Sequence, residues 1–107
     1  MSNTLGQAID ALAAAIASRA GGDPAVSYTA RLLSEGPMKC AKKLGEEGVE
    51  AALAAVAGDK AALASEAADV LFHLLATLQV CGVAPNEVAA ALEKRKGVSG
   101  LDEKAGR

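Results

Sequence analysis

Apolar positions recur at helical spacing along most of the chain, and short polar or glycine-rich breaks divide the pattern into segments. The series Leu5, Ile9, Leu12, Ala13 and Ile16 returns every three or four residues until Gly21 and Gly22 interrupt it, which is the spacing of one helix face. Thr4 and Gln7 stand just ahead with the spacing of a capping box, in which each side chain serves the other's backbone N–H. Asp23-Pro24 marks a turn, and Ser27 to Leu33 reads as a loop plus a short helix that stops at Gly36-Pro37. Pro37 suits the first turn of a second long helix, which runs through Val56 and ends at Gly58, because a proline there gives up only an N–H without an intrahelical partner. Asp59 can cap a third helix from Lys60 to about Cys81, stopped by Gly82, and Pro85 can open a fourth that runs to about Lys96. The expected fold is all-α with four to five helices. The break at Gly58-Asp59 is so short that the helices on either side must form an antiparallel hairpin.

Composition adds a constraint on the core. The chain has 107 residues, 51% of them apolar, with Tyr28 and Phe72 as its aromatics, so one domain over residues 1–107 must build its interior from Ala, Leu and Val. So thin a core favours a homodimer or higher homo-oligomer. A net charge of −2 gives no positive field of the kind that attracts nucleic acid, and no apolar run is expected to approach a membrane span. Neither nucleic acid nor a membrane is an expected partner. The first residues lack the pattern of a secretory signal, and Cys40 and Cys81 make no disulfide framework or metal spacing. A cytoplasmic protein with both thiols reduced and packed follows. Residues 97–107 hold three glycines and no apolar period, the pattern of a frayed tail.

The chemistry concentrates in five acids. Glu46, Glu47, Glu50, Glu66 and Asp69 stand among apolar residues with only Lys60 as an opposing charge between them. A carboxylate moved toward an apolar interior must be paired, protonated or bound to a metal. At about 100° per residue, Lys39, Lys43, Glu46 and Glu50 share a narrow stripe of the second long helix with Glu47 on its flank. Met38, Gly45, Val49, Ala52, Leu53 and Val56 form the apolar arc beside it. On the third helix Glu66, Asp69 and His73 share a face next to the arc Leu63, Val70, Leu74 and Leu78. Across the hairpin Glu50 lies level with Glu66, and Glu47 with Asp69, so four carboxylates converge in two layers. Acids at this spacing are most often a solvated face; here ExxD answers ExxE at matching depth, and no Lys or Arg occurs from Ala61 through Leu92. A divalent cation can neutralise them. Oxygen ligands without cysteine select Mg²⁺ or Mn²⁺, which complete their shells with water and phosphate oxygens. A di-iron carboxylate site needs Glu-x-x-His on two helices, and position 69 is Asp in a chain with a single His. Lys39 and Lys43 either pair with Glu46 along the helix or face a triphosphate, and His73 is either a packed residue or part of the site.

Glu47-x-x-Glu50 followed by Glu66-x-x-Asp69 resembles the signature of the all-α nucleoside triphosphate pyrophosphohydrolases, whose helical hairpin holds Mg²⁺. The segments YTARLL (28–33), KKLGEEGVEAALAA (42–55) and EAADVLFHLL (66–75) are similar to those of the phosphoribosyl-ATP pyrophosphohydrolase family, from about the first helix through Arg95. The resemblance implies Glu47, Glu50, Glu66 and Asp69 as metal ligands, and Glu46 as a further acid that aids a water. It implies catalytic work for Glu46, Glu47 and Glu50, and substrate contacts for Lys39, Lys43 and His73, with Arg31 and Arg95 as further candidates for a ribose phosphate. Met38 stands where relatives often carry a basic residue. The implied reaction is hydrolysis of 1-(5-phosphoribosyl)-ATP to 1-(5-phosphoribosyl)-AMP and pyrophosphate, in histidine biosynthesis, by a stand-alone homodimeric or larger enzyme. Two other readings stand beside it: a house-cleaning pyrophosphohydrolase for modified nucleotides with the same metal site, and a non-catalytic helical binding module.

Overall fold

Local signals set the helix ends. Thr4 and Gln7 close their capping box, with Gln7 N–H donating to Thr4 Oγ1 at 3.1 Å and Thr4 N–H to Gln7 Oε1 at 2.8 Å. Ser27 Oγ and Asp59 Oδ1 accept from the N–H groups of Ala30 and Ala62 at 3.1 and 2.9 Å, which satisfies orphan donors of the first turn. Gly58 and Gly82 end their helices with φ of 73° and 74°, a left-handed backbone that costs glycine nothing. The computed structural model describes residues 3–97 as five helices without strands: α1 (Leu5–Arg19), α2 (Tyr28–Ser34), α3 (Gly36–Ala57), α4 (Lys60–Cys81) and α5 (Pro85–Lys94). The all-α expectation and its hairpin are borne out. The last helix stops at Lys94 instead of Lys96, because the N–H groups of Arg95 and Lys96 bond three residues back, to Leu92 and Glu93, and tighten the final turn. Beyond Gly97, the expected tail lies outside the described residues.

α3 and α4, each 22 residues long, pack along one another as the hairpin, and α1 and α2 cover the C-terminal half of α4. The core is correspondingly small. Leu32 of α2, Cys40 of α3 and Ala76 of α4 form its centre, with Leu33, Phe72 and Val80 partly buried against them. The Cys40 thiol donates to Leu32 C=O at 3.5 Å, so the polar end of this buried side chain is satisfied.

Three expectations are corrected. The apolar arc of α3 does not pack within the chain: Met38, Val49, Leu53 and Val56 are 60–88% exposed. The side of α3 that meets its neighbours is instead the line Cys40, Leu44, Glu47, Ala51 and Ala54, all buried or half-buried. Small residues there let two backbones approach, which bulkier Val and Leu would prevent. Cys81 is exposed, not packed, although both thiols are free. Finally, α4 is long and apolar enough by length and composition to cross a membrane, at mean hydropathy 1.4, because Ala, Leu and Val outweigh its two acids. It is the inner arm of the hairpin, and those acids, Glu66 and Asp69, belong to the site described next.

Candidate active site

The hairpin register brings the acids together. Ligand oxygens of Glu47, Glu66 and Asp69 lie within 4.8 Å of one another, and Glu50 is within side-chain hydrogen-bonding reach of both Glu47 and Glu66. One Oε2 atom each of Glu47 and Glu66 is buried without a hydrogen-bond partner. In the metal-free protein burial pushes the Glu47 and Glu66 carboxyls up; the Glu50 carboxyl within hydrogen-bonding reach of each and the neighbouring negative charges add to the rise. Proximity to His73 partly offsets it at Glu47. Such a cluster repels itself unless it takes up protons or a cation.

These residues fit a hard divalent cation. All four donors are carboxylates, two present buried oxygens that nothing else satisfies, and bonds of about 2.0–2.1 Å to one ion separate neighbouring ligand oxygens by roughly 3–4 Å. Small side-chain rotations from the observed separations suffice. Glu46 is exposed and falls outside the convergent group.

His73 is 7% exposed. Its Nδ1 lies 2.8 Å from Asp69 C=O; a carbonyl can only accept, so Nδ1 donates that hydrogen bond. Its Nε2 is buried and unpartnered. The ring also meets Phe72 edge-on, with centroids 5.0 Å apart at 86°. His73 therefore braces the turn of α4 that carries Asp69, and the residue is close enough to Glu47 to act on it electrostatically.

A cleft of about 340 Å³ lies beside the acids, lined by Tyr28, Arg31, Leu32, Glu35, Lys39 and Lys43. The Arg31 guanidinium sits over the Tyr28 ring at 5.5 Å. Three of the sequence-derived basic candidates thus share one cleft, whereas Arg95 lines a separate depression on α5 with Ala89, Leu92, Glu93 and Lys96. Sequence reasoning passed over Tyr28 and Glu35 as cleft residues. No continuous helical spacing could have shown them: Gly36 takes φ 88°, so the chain turns between α2 and α3, and it is the packing of the two helices that sets positions 28, 31 and 35 beside 39 and 43. The Gly36-Pro37 pair reads as a stop in the sequence, and the helix does break there.

A helical hairpin that gathers four carboxylates beside a basic cleft defines a class of all-α proteins suited to divalent cations and phosphate groups. Residues 9–96 match the profile of the phosphoribosyl-ATP pyrophosphohydrolase family. The chain is 65% identical over 96 residues to a phosphoribosyl-ATP pyrophosphatase of Methylobacterium radiotolerans, covering 90% of both chains. It is 58% identical over 99 residues to one of Cereibacter sphaeroides, covering 92% of this chain and 96% of that one. A third, from Dinoroseobacter shibae, is 59% identical over 96 residues, with 90% and 94% covered. This chain belongs to the phosphoribosyl-ATP pyrophosphohydrolase family.

Proposed function

We propose that this chain hydrolyses 1-(5-phosphoribosyl)-ATP between its α- and β-phosphates, releasing 1-(5-phosphoribosyl)-AMP and pyrophosphate in the second step of histidine biosynthesis. The observation that carries the reading is the convergence of Glu47, Glu66 and Asp69 in a chain whose relatives bear that activity in their names. A house-cleaning enzyme would keep the same acids, but those names favour the biosynthetic substrate. Incubation with phosphoribosyl-ATP and Mg²⁺, followed by measurement of pyrophosphate, tests it directly; absence of pyrophosphate from folded, Mg²⁺-loaded protein refutes it.

Glu47, Glu50, Glu66 and Asp69 would hold Mg²⁺, or Mn²⁺ in its place. A cation so held supplies positive charge for phosphate oxygens and lowers the pKa of a coordinated water. Around it, the chain's own groups position the substrate. Lys43 stands one turn before Glu47 and Lys39 one turn further, so their ammonium groups, with Arg31, face phosphate oxygens from the cleft side. Glu46, exposed at the outer edge of the same helix, takes the part of a proton acceptor for a water. His73 fixes the Asp69 turn through Nδ1 and keeps a buried, unpartnered Nε2 for a contact with the substrate or a ligand carboxylate. Arg95 remains a candidate contact only through a rearrangement of α5 or through a second copy of the chain.

We further propose that residues 1–107 act as one domain of a cytoplasmic homodimer or larger homo-oligomer. The large exposed side chains Val49, Leu53 and Val56 lie in one line along α3, and a second copy would remove that line from water. Apolar burial of this kind is the main driving force for association.

A further inference from the structure

We propose that the cleft between α2 and α3 is the subsite for the ribosyl phosphate end of the substrate, with Tyr28 and Glu35 as residues that determine specificity. The inference rests on the activity proposed above.

Its lining is chemically mixed. Arg31, Lys39 and Lys43 supply cations, yet Glu35 places a carboxylate among them. A pocket for a bare polyphosphate gains nothing from that carboxylate, which repels the ligand. A pentose carrying a phosphomonoester needs both signs: donors for the phosphate oxygens, and an acceptor for the sugar hydroxyls. A volume of about 340 Å³ accommodates a group of that size.

The aromatic side chains explain how the cleft is held ready. Arg31 rests on the Tyr28 ring at 5.5 Å. Tyr28 in turn stacks on Phe72 with centroids 6.4 Å apart at 28°, and Phe72 meets His73 edge-on. This row of rings runs from the cleft wall to the buried histidine beside the acids. A guanidinium already fixed on a ring loses less freedom when the ligand arrives than a free one does. The position also matters. On α3 Lys43 stands one turn before Glu47 and Lys39 two turns before it, about 12 Å along the helix, so the cleft they line leads away from the metal-binding acids without overlapping them, toward where the far end of a nucleoside would lie. It reads the part of phosphoribosyl-ATP that ATP lacks.

Equilibrium binding of phosphoribosyl-AMP and of AMP to the full chain in Mg²⁺ gives a selectivity ratio that tests the assignment. Glu35→Gln and Tyr28→Leu should each lower that ratio at least tenfold, about 1.4 kcal/mol. Tyr28→Phe should retain it, because the ring still carries the guanidinium without the hydroxyl. The Mg²⁺-dependent rise in melting temperature should stay at the wild-type value in all three, which a purely structural role would not permit. Equal weakening of both nucleotides, or an unchanged ratio in Glu35→Gln, overturns the proposal. If Tyr28→Leu loses its helical circular dichroism, Glu35→Gln decides, since the Glu35 side chain makes no cap hydrogen bond to α3. Ribose 5-phosphate separates this proposal from the activity. Shifts of the Arg31, Glu35 and Lys39 amide resonances in a protein that fails to hydrolyse phosphoribosyl-ATP would uphold the cleft and sink the activity. An active enzyme with neither shifts nor selectivity would do the reverse.

Discussion

Glu47→Gln should weaken metal binding far more than it weakens the fold. Glu47 contributes one of the convergent oxygens, and its Oε2 is buried without a partner; glutamine keeps the shape and removes the charge. For a chain of 107 residues, an unfolding entropy of about 2.1 cal/mol/K per residue makes each kcal/mol worth roughly 4–5 °C in Tm. Mg²⁺ at 100 times its Kd stabilises the native state by about 2.7 kcal/mol, hence roughly 12 °C. Disturbing groups that merely orient a ligand weakens metal sites about 10–100-fold, so loss of a ligand takes at least the upper figure. At the same Mg²⁺ concentration the variant then gains only about 0.4 kcal/mol, or roughly 2 °C. The metal-free protein adds a pH signature. Glu47 and Glu66 have folded-state pKa values above the unfolded value, so their contribution is fully present below about pH 4.3 and is lost as pH rises through the raised values. Wild-type protein in EDTA should therefore melt higher at pH 5 than at pH 8, and Glu47→Gln should flatten that difference, since one of the two raised carboxyls is gone. Circular-dichroism melts with and without Mg²⁺ at both pH values measure all of this. A full Mg²⁺ shift in Glu47→Gln would remove the residue from the ligand set, and a wild type without any shift would remove the metal from the site.

Glu50→Gln and Asp69→Asn should each abolish pyrophosphate release while leaving the helical spectrum intact; full turnover in either variant excludes that residue as a ligand. His73→Ala should lower kcat/KM for phosphoribosyl-ATP at least roughly tenfold, about 1.4 kcal/mol, because it removes both the brace at Asp69 C=O and the free Nε2. A lower melting temperature with unchanged kcat/KM would reduce His73 to a packing residue. Leu53→Glu, at a position 63% exposed on the apolar line of α3, should dissociate the oligomer in sedimentation velocity with little change in monomer helicity, and undiminished association would place the interface elsewhere.

The helix ends were legible because each carries its own local chemistry. Thr4, Asp59, Gly58, Gly82 and Pro85 act on backbone groups within a turn of themselves, so no tertiary information is needed to place them. The final turn was harder, since whether Arg95 and Lys96 close an α-helical or a tighter bond depends on small differences in backbone geometry rather than residue type. The exposure of Cys81 was not legible either: a thiol near the end of an apolar helix reads as buried, and only the packing of α1 and α2 decides which face of α4 is covered.

The acids show where hydrophobic pattern fails and why the failure falls at the site. A wheel weighted by side-chain size assigns the inner face of α3 to Val49, Leu53 and Val56, and so places Glu47 on a flank. The chain instead turns Cys40, Leu44, Glu47, Ala51 and Ala54 toward its other helices. Ala51 and Ala54 bring α3 close to α4, and that approach is what allows Glu47 to meet Glu66 and Asp69 within 4.8 Å. A row of large apolar residues on the same face would bury more surface and stabilise the monomer, but it would hold the carboxylates apart. The helix thus keeps its bulk on the outer face, where a second copy can use it, and gives the inner face to small residues and acids. Conflicts between local pattern and fold are expected where function requires an otherwise unfavourable arrangement. On α4 pattern and packing agree only in part: the arc Leu63, Val70, Leu74 and Leu78 is half-buried beside the acids, while the fully buried positions are His73, Leu75 and Ala76.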